Sequence, residues 1–278
     1  MVTRRQFVAG SIGSVGLVGG VGLAALGPRR VGRKLGLVHS ADLGVASSGW
    51  PVVERTLASK AMGRDVRWAM ALPRVAPTGV IICLHGRGGT RLTAFSNMYI
   101  HDFVAAAGHS FAVVGVDGTD HAYWHRRADG TDALSLVIDE LIPAIDRELG
   151  VLPRAILGWS MGGYGSLLAA ERFPSLFRAV CAASPALWLT ASESADGAFD
   201  SADDYGAHDV FSNTAALSAL RVRVDCGTDD GFINAARAFA TKLPQANLGS
   251  FAAGQHDGPY WRSIAPAQIA TIASAFQT

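Results

Sequence analysis

Gly158-Trp159-Ser160-Met161-Gly162-Gly163-Tyr164-Gly165 is the stretch on which the reading of this chain turns. The run before it, Arg154-Ala155-Ile156-Leu157, is short and apolar, as a core strand would be. The run after it, Ser166-Leu167-Leu168-Ala169-Ala170, favours helix. A Gly-x-Ser-x-Gly turn between a strand and a helix is tight enough to force its serine into a strained backbone conformation. A side chain at either flanking glycine would strike neighbouring backbone. The serine hydroxyl is thereby carried to the top of a sheet, beside a helix N-terminus whose N–H groups and dipole favour developing negative charge. Ser160 is the expected nucleophile.

Outward from that turn, short apolar runs alternate with stretches of helical period. The runs are residues 80–84, 111–116, 155–157, 179–183, 222–226 and 248–252. The intervening stretches 92–107, 134–149, 162–172 and 234–243 read as helices, and 266–276 closes the chain as another. Such alternation implies α/β architecture with a mostly parallel central sheet. Residues 52–58 and 65–72, joined by a turn through Gly63, read as an antiparallel N-terminal hairpin. In open α/β sheets the ligand crevice lies beyond the carboxyl ends of the parallel strands, so the groups that follow each run matter most.

A serine hydroxyl is a weak nucleophile near neutral pH and needs a histidine to take its proton and a carboxylate to hold that histidine. In the α/β-hydrolase arrangement these partners follow the serine in the order acid, then histidine. His39, His85, His101, His109, His121 and His125 all precede Ser160. His208 follows it but lies in an acidic stretch ahead of the 222–226 run, out of order. His256 stands in the loop after the last run and is the expected base. The acid should follow 222–226, where Asp229 and Asp230 both qualify and spacing does not separate them; Asp225 lies inside the run.

Four segments together resemble one family. They are Leu84-His85-Gly86-x-Gly88-Gly89, the Ser160 turn, Asp225-Cys226-Gly227-x-x-Asp230-x-Phe232, and Gly254-Gln255-His256-Asp257-x-x-Tyr260-Trp261. As a set they are similar to the esterase D branch of α/β-hydrolases, which includes S-formylglutathione hydrolases and mycolyltransferases. The resemblance runs from about residue 50 to the C-terminus. It implies an α/β-hydrolase fold with helices on both faces of the sheet, and a serine carboxylesterase activity. It also implies that Asp230, two residues before Phe232, is the acid, with Asp229 as the alternative. Backbone N–H groups of Arg87 and Met161 would form the oxyanion hole. His85 would order its loop. Transfer of the acyl group to a hydroxyl of the cell envelope, as mycolyltransferases do, is a second reading, and a non-catalytic binding protein on the same fold a third.

The 278 residues, 49% hydrophobic and 17% charged, suffice for one large core and are too apolar for a disordered chain. A formal charge of +1 gives no electrostatic reason to expect nucleic acid. The expected partner is a small-molecule or lipid ester. Cys83, Cys181 and Cys226 lack metal-ligand spacing and read as buried free thiols; neither cofactor nor metal is expected. Residues 190–210 form a long acidic segment, read as a lid or a solvated surface insertion. Trp124, Trp188 and Trp261 follow strand ends and are expected to line the pocket.

The chain opens Thr3-Arg4-Arg5-Gln6-Phe7, followed by a Gly/Ala/Val/Leu run to Gly27. Paired arginines ahead of an apolar stretch resemble a twin-arginine export signal. Residues 1–27 are therefore read as a signal or membrane anchor, 28–49 as a linker and 50–278 as the hydrolase domain. Export across the bacterial inner membrane, to the envelope or beyond, is the expected location, with membrane association through the N-terminal segment if it is retained.

Overall fold

Two kinds of apolar pattern give two kinds of strand. Residues 52–58 alternate, and β1 (Val52–Ser59) accordingly alternates between half-buried and exposed positions, as an edge strand does. β3 (Gly79–Leu84), β4 (Phe111–Val116), β5 (Arg154–Trp159) and β6 (Ala179–Ala183) are buried at every position, the pattern of strands covered on both faces. These strands, with β2 (Arg64–Ala71) and β7 (Arg221–Asp225), form one seven-stranded sheet in the computed structural model, which describes residues 45–277 apart from Thr119 and Ala122. The order is β1-β2-β4-β3-β5-β6-β7. β1 and β2 form the expected hairpin, β2 joins β4 antiparallel, and all pairs from β4 to β7 are parallel. This is the mostly parallel α/β-hydrolase sheet.

Two apolar layers flank it. On one face lie α1 (Thr93–Ser96) and α2 (Ile100–Ala106), along with α8 (Gly258–Phe276). On the other lie α3 (Ala133–Ser135), α4 (Ile142–Leu149), α5 (Met161–Arg172) and α7 (Ile233–Thr241). A further short helix, α6 (Ala202–Ala207), belongs to the 190–210 insertion. Every residue of α5 from Met161 to Glu171 is buried, so the helix after the Ser160 turn is clamped along its length.

Four expectations are corrected. The helix read over 92–107 is broken between α1 and α2, where Tyr99 takes a left-handed conformation (φ 55°) that a helix cannot continue through. The stretch 134–149 contains a π-helical turn, Leu136–Leu141, which ends two residues before Pro143. Proline has no N–H for the carbonyl four residues back, and the wider turn accommodates that loss. Residues 248–252 are not a strand. They run beside β7 with Leu248 N–H on Val222 O and Ser250 O accepting from Cys226 N–H. Between those bonds the Asn247 amide takes both the N–H and the C=O of Val224 (2.8 and 2.9 Å). A side-chain amide has replaced one rung of the ladder. The closing helix starts at Gly258, eight residues ahead of Pro266, because Asp257 caps it through Tyr260 N–H (3.1 Å).

The segment read as an export signal or anchor, and most of the stretch read as a linker, fall in residues 1–44, outside the described residues. Among the described residues no helix is long and apolar enough to cross a membrane.

Candidate active site

Ser160 has φ 55° and ψ −119°. A non-glycine residue there carries strain of about 1–3 kcal/mol, and its backbone bonds show what holds it. Ser160 N–H donates to Ala183 O (3.0 Å), and Ser160 O accepts from Tyr164 and Ala186 N–H (3.1 and 3.0 Å). The flanking glycines are required by contact. A Cβ on Gly158 would stand 2.1 Å from Gly162 O, and one on Gly162 would stand 1.9 Å from Leu84 O. The turn therefore lies directly on the end of β3, which brings the His85-Gly86-Arg87 loop against it. A Cβ on Gly86 would be 3.4 Å from that of Ser160.

The structure brings together all three side chains singled out in the sequence. His256 Nε2 lies 2.8 Å from Ser160 Oγ, and His256 Nδ1 lies 2.9 Å from Asp230 Oδ2. Ser160 is half-buried and the His256 side chain is 29% exposed, whereas the Asp230 side chain is fully buried. Burial alone would raise the Asp230 carboxyl. The hydrogen bond to His256 and the Phe232 N–H on its other oxygen (3.0 Å) outweigh that and hold it below the usual range. It is thus an anion aimed at the imidazole.

Adjacent Asp229 is exposed, and its N–H goes to Gly254 O. Asp225 is engaged elsewhere, in a two-pronged pair with Arg223 (2.8 Å each) and with Ser250 N–H (2.8 Å). Of the three aspartates, only Asp230 reaches His256.

Arg87 lines the space over Ser160, and Met161 directly follows Ser160 in the chain. Met161 is the first residue of α5, and among the described residues neither its N–H nor that of Arg87 meets a backbone acceptor. His85 spends both ring nitrogens on the loop: Nδ1 donates to Gly86 O (2.8 Å) and Nε2 accepts from Gly118 N–H (3.0 Å). Burial holds its pKa below the ordinary histidine value, consistent with a neutral ring that braces the loop.

A cleft of about 600 Å³ opens over Ser160 and His256, lined by Arg87, Thr93, Asn97, Tyr123, Trp159 and Trp261. Its size is that of a small-molecule site. Trp261 stands edge-on to His256 with ring centres 5.1 Å apart. The other two tryptophans expected here are elsewhere. Trp124 is 1% exposed, packed on Gly118 and Gly165, with its indole N–H on His85 O (3.2 Å). Trp188 lies under the 190–210 insertion and touches Tyr123 and Phe232. Following a strand end does not fix which way a side chain turns, and the left-handed backbone at Tyr123 and Trp124 (φ 44° and 58°) sends Trp124 inward. Trp159, read as part of the turn, is the last residue of β5 and was not among the expected lining residues. Tyr123 and Asn97 sit in loops and carried no sequence signal.

The 190–210 insertion packs over α5. Tyr164 Oη donates to His208 O (2.8 Å), Tyr205 Oη to Trp188 O (2.7 Å), and Arg127 pairs with Asp200 (2.8 Å). The three cysteines are free and buried.

Residues 59–270 match the Esterase family. Among solved structures, a ferulic acid esterase aligns with TM-score 0.70 at 22% identity, over 81% of this chain and 98% of that one. The S-formylglutathione hydrolase of Agrobacterium tumefaciens aligns with TM-score 0.70 at 16% identity, over 83% and 97%. MPT51 of Mycobacterium tuberculosis aligns with TM-score 0.67 at 17% identity, over 81% and 99%. At these identities the likeness is one of fold. No curated protein sequence is significantly similar to the chain.

Proposed function

Because the chain belongs to the Esterase family, we propose that it hydrolyses a carboxylic ester through an acyl-enzyme on Ser160. The observation that carries this reading is the continuous relay from Asp230 to His256 to Ser160, with both links at hydrogen-bond length. His256 Nε2 takes the hydroxyl proton as Ser160 Oγ attacks the ester carbonyl. The negative charge that develops on the carbonyl oxygen meets the N–H groups of Arg87 and Met161 and the N-terminus of α5. Asp230 stabilises the imidazolium and keeps its proton on Nδ1. As the tetrahedral intermediate collapses, His256 returns its proton to the leaving alkoxide. Water then repeats the sequence in reverse: His256 deprotonates it, it attacks the acyl carbon, and Ser160 leaves as the hydroxyl.

The aromatic walls of the cleft, Tyr123, Trp159 and Trp261, suit an apolar or aromatic portion of the ester. For residues 1–27, the Arg4-Arg5-Gln6-Phe7 segment supports export, which sequencing the N-terminus of the exported protein would check.

The test is turnover of short p-nitrophenyl esters with labelling by a fluorophosphonate probe. The parent protein should turn over and label, and Ser160→Ala should do neither. Equal background hydrolysis by both proteins would end the esterase reading.

A further inference from the structure

His125 and the pair Asp204 and His208 come from separate parts of the chain and converge away from the cleft. One donor atom from each lies within 4.8 Å of the other two. Asp204 Oδ1 is 3.0 Å from His208 Nδ1 and 3.8 Å from His125 Nδ1, and the two imidazole rings are 4.3 Å apart. An ion held tetrahedrally by bonds of about 2.1 Å has its ligand atoms about 3.4 Å from one another. The observed separations bracket that value.

The hydrogen bonding around His125 points the same way. The side chain is fully buried, and both ring nitrogens face carbonyl oxygens: Nε2 faces Ala198 O (3.1 Å) and Nδ1 faces Arg126 O (2.8 Å). A neutral imidazole has one N–H to give to these two acceptors. With that N–H on Nε2, the lone pair of Nδ1 is directed among Arg126 O, Asp204 Oδ1 and His208, a set rich in acceptors. A ligating histidine usually donates its other N–H to a carbonyl or carboxylate, as Nε2 would here to Ala198 O. The Asp204 carboxylate is oriented too, because its Oδ2 accepts from Asp200 N–H (2.8 Å), leaving Oδ1 to the histidines.

We propose that His125, Asp204 and His208 form a binding site for one divalent transition-metal ion of the zinc type. Two imidazoles and a carboxylate are the nitrogen and oxygen donors such an ion takes, with water or a backbone carbonyl in the fourth position. The ion would pin the 190–210 insertion to the loop after β4. That loop includes Tyr123, a wall of the ester cleft, two residues before His125. The role is structural, and it stands or falls independently of the esterase reading.

The experiment is calorimetric titration of the metal-freed full chain with zinc chloride, with thermal melts and the ligand-field absorption of bound cobalt(II). The parent should take up one ion per chain. A large excess of zinc should raise its melting midpoint by about 5 °C. Asp204→Asn and His208→Gln should each weaken uptake at least about tenfold and lose both the melting shift and the cobalt spectrum. A cooperative metal-free melt serves as the check that each variant folds. His256→Ala should keep all three. Absence of one-to-one uptake in the parent would overturn the proposal. So would uptake unchanged in both cluster variants, or lost in His256→Ala.

Discussion

Replacing Asp230 by asparagine changes the charge of the buried acid while barely changing its shape, and the structure says which proton will be misplaced. Asp230 Oδ1 accepts from Phe232 N–H (3.0 Å), while Oδ2 faces His256 Nδ1 (2.9 Å). In the asparagine variant the amide oxygen stays on the Phe232 N–H, so the amide NH2 is turned toward His256. Nδ1 must then accept, which puts the single imidazole proton on Nε2, 2.8 Å from Ser160 Oγ. A nitrogen that carries a proton cannot take the serine's. Loss of the correct tautomer and of the charge opposite the imidazolium lowers kcat by about 10,000-fold in triads of this kind, or about 5 kcal/mol of barrier. Asp229→Asn is the matched control, since Asp229 is exposed and does not reach the histidine. The assay is kcat and KM on p-nitrophenyl acetate for both variants, with melting midpoints to show that each is folded. Asp230→Asn should lose kcat with KM little changed, and Asp229→Asn should stay within about threefold of the parent. The assignment fails if Asp230→Asn retains more than a tenth of parental kcat, or if Asp229→Asn takes the larger loss.

Two further outcomes follow from the packing around α5. Gly162→Ala would place a methyl 1.9 Å from Leu84 O, a backbone atom that cannot swing away; urea unfolding should show a loss of about 3 kcal/mol or more, the upper end for overpacking, together with loss of esterase activity. Glu171, near the end of α5, is 5% exposed, with one carboxyl oxygen lacking a hydrogen-bond partner among the described residues. Burial, reinforced by Asp209, pushes its pKa from 4.5 up to about 8. Between those values the folded state holds a proton that the unfolded state has released. Stability is therefore lost as pH rises across that window. Glu171→Gln should melt higher than the parent at pH 8, with the gap closing toward pH 4.5. A gap that is flat with pH would show that Glu171 is ionised in the fold.

Most of the fold was legible because it rests on patterns local to the chain. Core strands covered on both faces are apolar throughout, and β4 and β6 coincide with their apolar runs. The Ser160 turn was legible for the same reason, since the two glycines it requires, Gly158 and Gly162, fall within one five-residue stretch. What was not legible depended on contacts across the chain. An apolar run read as a strand at 248–252, but Asn247 takes the place of a backbone rung, and nothing local marks that amide as bonded to Val224. Trp124 turned inward because Tyr123 and Trp124 both occupy left-handed backbone, a conformation their side chains do not advertise.

The choice between Asp229 and Asp230 shows where local reasoning ends. Adjacent residues in a turn point in different directions, and only the bonds around them decide which is buried. Here the turn sends Asp229 outward, with its N–H on Gly254 O, and draws Asp230 in under the N–H of Phe232. The same Gly254 carbonyl is two residues from His256, so one short contact sets both the exposure of Asp229 and the path of the loop that carries His256. A Cβ on Gly227 would stand 2.3 Å from that carbonyl, so the glycine of the Asp225-Cys226-Gly227 segment is needed for the acid loop and the histidine loop to meet. The cluster of His125, Asp204 and His208 is subject to the same limit. Asp204 and His208 are four residues apart and could be paired on paper, but His125 lies on the far side of the Ser160 turn in sequence, and only the way the insertion packs over α5 brings it to them.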